Sequence, residues 1–354
     1  MRRVRLGRSD LLVSELGFGG IPIQRPSEPE ATRVIRRCLE LGVNFLDTAN
    51  FYGSSEERIG RAIAGRRQGL VLATKNSARL GSAFLEQMEL SFQRLNVEHI
   101  DLLQFQQVST EEAYRQILAP EGPMDIALRA KAQGRVGHIG VSSHSLDLAL
   151  KLARSGHFET LMFPFNFVTN EAASELIPVC REYDVGFIAM KPMAGGLLEN
   201  AELAFKYLRQ FSDVVPVLGV EKTCEIEEVA SLLQGPAQVR ESDRAEMERI
   251  REGLGTRFCR RCEYCLPCPQ GLDIPVLVNL KAFVKRFPPE RMFGPWGAAI
   301  VAQSENCADC GECESRCPYQ LPIRETIRDN AAWYRRQRAK QSLVPVDDRI
   351  ELAR

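Results

Sequence analysis

Eight short apolar runs alternate with longer amphipathic stretches between Leu12 and Leu233, and few folds accommodate that rhythm. The runs occupy residues 16–20, 44–47, 71–74, 100–105, 136–142, 161–164, 186–190 and 214–217. Each is brief and mostly apolar, as expected of a parallel strand buried on both faces. The stretches between them read as helices with a single apolar stripe. Residues 30–41 carry Val34, Ile35, Cys38 and Leu39 on such a stripe, and residues 171–183 carry Ala172, Leu176, Ile177 and Cys180. Gly42, Gly134, Gly156 and Gly186 stand where these helices should stop. Eight strand–helix units in this length predict an α/β fold of the (β/α)8 TIM-barrel type. A doubly wound open sheet competes, but no G-x-G-x-x-G follows the first strand. Residues 6–13 predict a short hairpin closing the barrel bottom, and residues 241–252 a charged helix leading out.

A different composition begins at Arg257, where cysteine, proline and glycine punctuate short helical pieces. Eight of the eleven cysteines crowd there in two runs. The first is Cys259-x2-Cys262-x2-Cys265-x2-Cys268-Pro269, and the second Cys307-x2-Cys310-x2-Cys313-x3-Cys317-Pro318. Thiolates two residues apart reach one metal centre from a single turn, and a third continues the wrap. In two-cluster ferredoxins the fourth cysteine, before proline, crosses to the other cluster. That logic gives Cys259, Cys262, Cys265 and Cys317 to one [4Fe–4S] cluster, and Cys307, Cys310, Cys313 and Cys268 to a second. Two structural zinc sites are the alternative, although zinc rarely needs three successive C-x2-C steps with a proline-flanked fourth. Cys268 is where the pattern departs, because two residues rather than three precede it. Residues 285–303, with Pro288, Pro289 and Pro295, connect the runs. The expected organisation is a barrel over 1–255, a small, mainly helical ferredoxin-like iron–sulfur domain over 256–330, and a C-terminal tail over 331–354. The tail is expected to be a helix that frays or folds back.

Lysine plus arginine and aspartate plus glutamate both number 46, so no global field attracts nucleic acid or an anionic membrane. The basic run Arg335-Arg336-Gln337-Arg338 reads as a solvated helix end. No stretch approaches the ~20 apolar residues of a membrane span, and no apolar segment follows Met-Arg-Arg to make a signal peptide. Cysteines at metal-ligand spacing point to a reducing compartment, with the cytoplasm as the expected location.

The first two-thirds resembles the aldo-keto reductase superfamily, through motifs that occur in order. These are "LGFGG", "NFLDTANFYGSSEERIGRAI" at strand two, "LATK" at strand three, "IDLLQF" at strand four, "GHIGVSSHS" at strand five and "MKPMAGGLL" after strand seven. The second motif is the specific one. With the cysteine array, the whole chain is similar to the subgroup carrying a C-terminal ferredoxin-type domain. The resemblance implies reduction of a small aldehyde or ketone by NADPH or NADH, or the reverse. It implies Tyr52 as the proton donor to the carbonyl oxygen, with Lys75 lowering the phenol's pKa and Asp47 holding Lys75 charged and aimed. A buried Asp–Lys pair beside a core tyrosine is the structural alternative. The histidine that usually follows strand four is replaced by Gln106, an amide that donates a hydrogen bond but takes no proton at neutral pH. The chain has four histidines, of which His144 is nearest to replacing it, although a cofactor-side or purely structural role suits His144 better.

The resemblance also carries over cofactor contacts. Ser142, Ser143 and Asn166 match positions that hold the nicotinamide amide, while the expected glutamine of strand six is Met162. Met190 stands where an aromatic often stacks on the ring, and its thioether can cover that face. Lys191 and the Gly195-Gly196 turn suit a pyrophosphate. Lys222 is offered to a 2′-phosphate that Glu221 and Glu225 would repel. Hydride transfer moves two electrons and a cluster moves one, so direct coupling needs a mediator. The alternatives are therefore an electron-transfer protein linking the clusters to a flavin or a redox protein partner, and a nicotinamide redox sensor without turnover.

Overall fold

The computed structural model describes residues 1–255 and 257–340. The chain folds as two compact units, Met1–Met247 and Glu248 onwards.

The first unit opens with a hairpin, β1 (Arg3–Arg5) against antiparallel β2 (Leu12–Ser14). Eight parallel strands then close a barrel: β3 (Gly17–Gly19), β4 (Phe45–Asp47), β5 (Val71–Asn76), β6 (Ile100–Phe105), β7 (Val136–Ser142), β8 (Thr160–Pro164), β9 (Gly186–Met190) and β10 (Val214–Gly219). Strand β10 pairs with β3 to complete the ring. Between strands run α1 (Glu28–Glu40), α2 (Ser55–Ile63), α3 (Gly81–Leu95), α4 (Glu111–Ile117), α5 (Pro123–Ala132), α6 (Leu146–Arg154), α7 (Leu176–Glu182) and α8 (Ala201–Leu208). Helix α9 (Thr223–Gln234) follows the last strand, and α10 (Glu241–Gly255) runs from the first unit into the second.

All eight expected strands are present, and those beginning at Ile100, Val136 and Gly186 have the expected limits. The barrel interior is filled by Phe45, Val71, Leu102, Met162, Ile188 and Val215, together with Val4, Leu6 and Val13 of the hairpin region. The hairpin therefore plugs the N-terminal end, with its strands at Arg3–Arg5 and Leu12–Ser14 rather than within the expected residues 6–13. Its backbone lies so close to β9 that a Cβ on Gly7, at φ +52°, would fall 2.2 Å from the Gly186 nitrogen. Gly186 is not the helix stop expected of it. It is the first residue of β9, where a Cβ would meet the Leu6 carbonyl carbon at 2.7 Å. The preceding helix ends earlier, at Tyr183 and a left-handed Asp184. Gly42, Gly134 and Gly156 do have the positive φ of helix-stopping glycines. The single helix expected over 171–183 is broken into a 3-10 turn, Glu171–Ala173, and α7.

The second unit is helical: α11 (Ile274–Val278), α12 (Leu280–Arg286), α13 (Pro289–Phe293), α14 (Pro295–Ala302), α15 (Glu312–Ser315) and α16 (Ile323–Lys340). Helix α16 anchors it. Asn330 donates to the Leu277 and Val278 carbonyls at 2.9 and 2.8 Å, and buried Tyr334 donates to the Met292 carbonyl at 2.8 Å. The expected tail begins inside α16, and its residues 341–354 lie outside the described residues.

Candidate active site and cysteine centres

Parallel strands in a closed ring put all their C-terminal ends at one mouth, where barrel active sites form. Asp47, Ser142 and Gly219 are the last residues of β4, β7 and β10, and Lys75 is next to last in β5. Gln106 and Lys191 directly follow β6 and β9, and Asn166 follows β8 by two residues. The barrel thus gathers residues spread over most of its sequence.

Asp47 and Lys75 form a buried ion pair, with side chains 5% and 2% exposed. The Lys75 ammonium donates to an Asp47 oxygen and, at 2.8 Å, to the Thr48 carbonyl. It lies 5.4 Å from the centre of the half-buried Tyr52 ring. Burial pushes the Asp47 carboxyl above its ordinary range, against the pull of Lys75 and a hydrogen bond from Gln104. The loop carrying Tyr52 is tied down by its backbone. Asn50 N–H donates to the Lys75 carbonyl at 3.0 Å, Tyr52 N–H to Ala49 at 3.0 Å, and Ser55 N–H to Tyr52 at 2.9 Å. Ammonium, carboxylate and phenol are therefore held on a rigid strand-end frame.

Sequence reading missed Gln104. It is fully buried and its amide donates to the second Asp47 oxygen at 2.9 Å, so each carboxylate oxygen has a donor. Gln104 is the register partner of Lys75 across β5 and β6, which puts both side chains inside the barrel. One signal was available: a lone amide inside the apolar strand run Leu102-Leu103-Gln104-Phe105. Gln106, by contrast, donates its backbone N–H to the Asn76 carbonyl at 2.9 Å, and its carbonyl accepts from Arg79 at 2.7 Å. Its side-chain oxygen is buried and has no hydrogen-bond partner among the described residues. His144 is buried, with its backbone N–H donating to Ser109 Oγ at 3.0 Å.

The residues matched to nicotinamide contacts are largely engaged in local turns. Ser142 Oγ accepts from Gln107 N–H at 2.9 Å, and Ser143 Oγ bonds the Ser145 backbone at 3.2–3.3 Å. Asn166 Oδ1 accepts from Val168 and Thr169 N–H, both at 2.9 Å, while its amide donates to the Lys191 carbonyl at 2.9 Å. Met190 is half-buried. Lys191, Gly195 and Gly196 all have positive φ, and a Cβ on Gly196 would meet nothing within 4 Å. That open, left-handed turn fits close backbone approach by a phosphate. Lys222 is exposed beside two carboxylates. Glu225 accepts from the N–H groups of Glu221 and Lys222 at 2.7 and 3.1 Å, and Glu221 pairs with Arg25 at 3.0 Å.

The two cysteine runs share one backbone pattern. Residues on both sides of the middle cysteine have positive φ: Arg261 and Glu263 around Cys262, Asp309 and Gly311 around Cys310. Each cysteine–proline step also closes in the same turn. Gly271 N–H donates to the Cys268 carbonyl at 2.9 Å and Gln320 N–H to the Cys317 carbonyl at 3.1 Å, and both donor residues have positive φ. The shorter spacer before Cys268 leaves this equivalence intact. Cys265 and Cys268 line a recess with Cys307, Cys310 and Cys313, about 370 Å3 of open space that includes some solvent. Burial pushes the Cys262 thiol up to about 11, and nearby Cys259 and Cys317 add to the shift. Burial likewise pushes Cys265 up to about 12, helped by Cys259 and Cys262. Buried, crowded thiols of this kind are stabilised as thiolates by a metal centre, so the donor set fits iron–sulfur clusters. Among the described residues no helix is long and apolar enough to cross a membrane.

The sequence model of the aldo/keto reductase family matches residues 15–234, and that of a 4Fe-4S dicluster domain matches residues 258–322. The chain is 28% identical over 217 residues to the oxidoreductase YqkF of Bacillus subtilis, covering 57% of this chain and 68% of that protein. It is 31% identical over 220 residues to aldo-keto reductase str7 of Strobilurus tenacellus, covering 55% and 62%, and 27% over 213 residues to L-galactose dehydrogenase of Arabidopsis thaliana, covering 54% and 66%. The holo form of aldo-keto reductase AKR11C1 from Bacillus halodurans shares the fold, with a TM-score of 0.62 at 23% identity over 71% of this chain and 96% of that one. The chain thus belongs to the aldo/keto reductase family and is an oxidoreductase whose barrel is followed by a 4Fe-4S dicluster domain.

Proposed function

We propose that the barrel reduces a small aldehyde or ketone, or catalyses the reverse oxidation, with Tyr52 as the proton donor. The buried Asp47–Lys75 pair beside the Tyr52 ring carries this reading. A bound nicotinamide nucleotide supplies the hydride. Tyr52 delivers a proton to the carbonyl oxygen as negative charge develops there, and Lys75 makes that phenol a better acid near neutral pH. Asp47, held at both oxygens, keeps Lys75 in place. Gln106 offers an amide hydrogen bond to the carbonyl oxygen and no proton. The Gly195-Gly196 turn and Lys191 take the pyrophosphate, and Met190 covers the nicotinamide face. Arg25 and Lys222 balance the carboxylates of Glu221 and Glu225, so the charge there suits NADH and NADPH alike.

We further propose two [4Fe–4S] clusters, one on Cys259, Cys262, Cys265 and Cys317, the other on Cys307, Cys310, Cys313 and Cys268. The clusters supply one-electron transfer. The recess shared by Cys265 and Cys268 with the second run, and the nearness of Cys317 to Cys262, bring the two runs together as a crossed assignment requires. The proline-flanked fourth cysteines carry the assignment itself. Steady-state oxidation of NADH and NADPH with a panel of aldehydes tests the barrel chemistry. Tyr52→Phe is expected to lower kcat by at least about 100-fold with nucleotide binding unchanged. Equal turnover by this variant would overturn the assignment.

A further inference from the structure

We propose that Arg260 is a positioning residue for one cluster: its buried guanidinium, stacked on Tyr319, holds the crossing Cys317 segment in place and sets a fixed positive charge beside that cluster. The inference rests on the dicluster assignment above. Arg260 directly follows Cys259, and Tyr319 lies two residues beyond Cys317. The guanidinium carbon sits 3.7 Å from the Tyr319 ring centre, and Arg260 is only 7% exposed. It also donates to the Phe258 carbonyl at 3.4 Å, on the other side of Cys259. One side chain therefore spans the first run and the segment that brings in the crossing ligand. A planar cation on an aromatic face is strongest when shielded from water, as here.

The other run supplies an internal comparison. The shared backbone pattern makes Ala308 the counterpart of Arg260 and Asp309 the counterpart of Arg261. The carboxylates of that run are each neutralised by an arginine: Asp309 by Arg328 at 3.0 Å, Glu312 by Arg316 at 2.8 Å, and Glu314 by Arg324 at 2.7 Å. Among the described residues only the first run has a buried arginine next to its cysteines; Arg316 and Arg324, which line the recess beside the second run, are half-buried. Reduction adds one electron from an external one-electron donor and makes or breaks no bond. The added negative charge is stabilised by Arg260, so loss of that charge lowers the midpoint potential of the cluster beside it.

The test is an anaerobic redox titration of the full cluster-loaded chain, with dithionite and mediators, followed by electron paramagnetic resonance and by iron and sulfide analysis. The native chain is expected to show two waves. Arg260→Gln should lower one of them by at least tenfold in its reduction equilibrium, about 59 mV for one electron, and leave the other in place. Arg260→Lys, which keeps the charge, should move that wave less. Selective loss of this centre in Arg260→Gln, with iron falling to about half, would equally support the clamp. Both waves unmoved, or both moved together, with iron still near eight per chain, would overturn the role of Arg260 and leave the dicluster reading standing. A native chain without clusters would overturn both. Should Arg260→Gln fail to fold, Tyr319→Leu decides: it removes the ring and keeps every thiol and charge. Unchanged waves and iron content in that variant would sink the proposal.

Discussion

Replacing Lys75 with methionine should reveal what the Asp47–Lys75 pair contributes to stability. Both side chains are almost wholly withdrawn from water. Taking two charges into a low-dielectric interior costs about as much as their attraction returns, so the intact pair adds little net stability. Removing one partner is a different matter. Lys75→Met leaves the Asp47 carboxylate buried with only the Gln104 amide as a donor, at an expected cost of about 3–5 kcal/mol. Asp47→Asn strands the ammonium on the Thr48 carbonyl and should cost a similar amount. The double variant buries no charge, and Gln104 can still donate to the new amide. It should lie within about 2 kcal/mol of the native chain, giving a coupling energy of at least about 4 kcal/mol. The assay is urea unfolding followed by far-ultraviolet circular dichroism. Fluorescence would mislead, because both tryptophans, Trp296 and Trp333, lie in the C-terminal unit. A pH series adds a sign test. Burial already raises the Asp47 carboxyl pKa, and losing Lys75 removes a group that lowers it. A carboxyl raised in the folded state favours folding below its unfolded value, and that contribution is lost as pH rises through the folded value. The deficit of Lys75→Met should therefore shrink on going from about pH 8 towards about pH 5. Single variants each costing under about 1 kcal/mol, or a double variant costing the sum of the two, would refute the reasoning, because water would then be reaching the pair.

Three further outcomes are expected. Gly7→Ala should destabilise the chain by at least about 2 kcal/mol in urea titration, since it forces a positive φ and a clash with the backbone of β9. Glu89 pairs with Arg135 through both oxygens, at 2.6 and 2.8 Å, and that hydrogen bonding holds its carboxyl below the usual range. Such a depressed carboxyl contributes stability above its unfolded pKa and loses it as pH falls through the folded value. Glu89→Gln should then cost about 0.5 kcal/mol at neutral pH, given the pair's exposure, with the deficit vanishing in acid. Cys268→Ala should reduce iron from about eight to about four atoms per chain and spare the centre on Cys259, Cys262 and Cys265; loss of both centres would refute the crossed assignment.

Periodicity and spacing carried much of this protein. A buried parallel strand must be short and apolar, so eight such runs between amphipathic stretches left the barrel as the best solution, and three strands have the limits read from the residues. Cysteine spacing is as local as a motif can be, because successive x2 steps fit one turn of chain around a metal centre. The strand ends likewise put Asp47, Lys75, Gln106 and Asn166 at the barrel mouth from the residue pattern alone. What the sequence could not convey depended on contacts between distant segments. Gly186 looks like a helix stop, yet its lack of a side chain is needed where the N-terminal hairpin backbone presses on β9. Gln104 looks like a polar intrusion in a strand, and only register across β5 and β6 reveals that it completes the shell of Asp47. Ser143 and Asn166 match cofactor contacts by resemblance, and only the fold reveals the turn hydrogen bonds that fix their side chains. Arg260 is one charge between two cysteines until folding brings Tyr319, 59 positions away, beneath it. Local geometry is encoded residue by residue, whereas the partner of a buried polar group is set by which distant strand or loop closes over it.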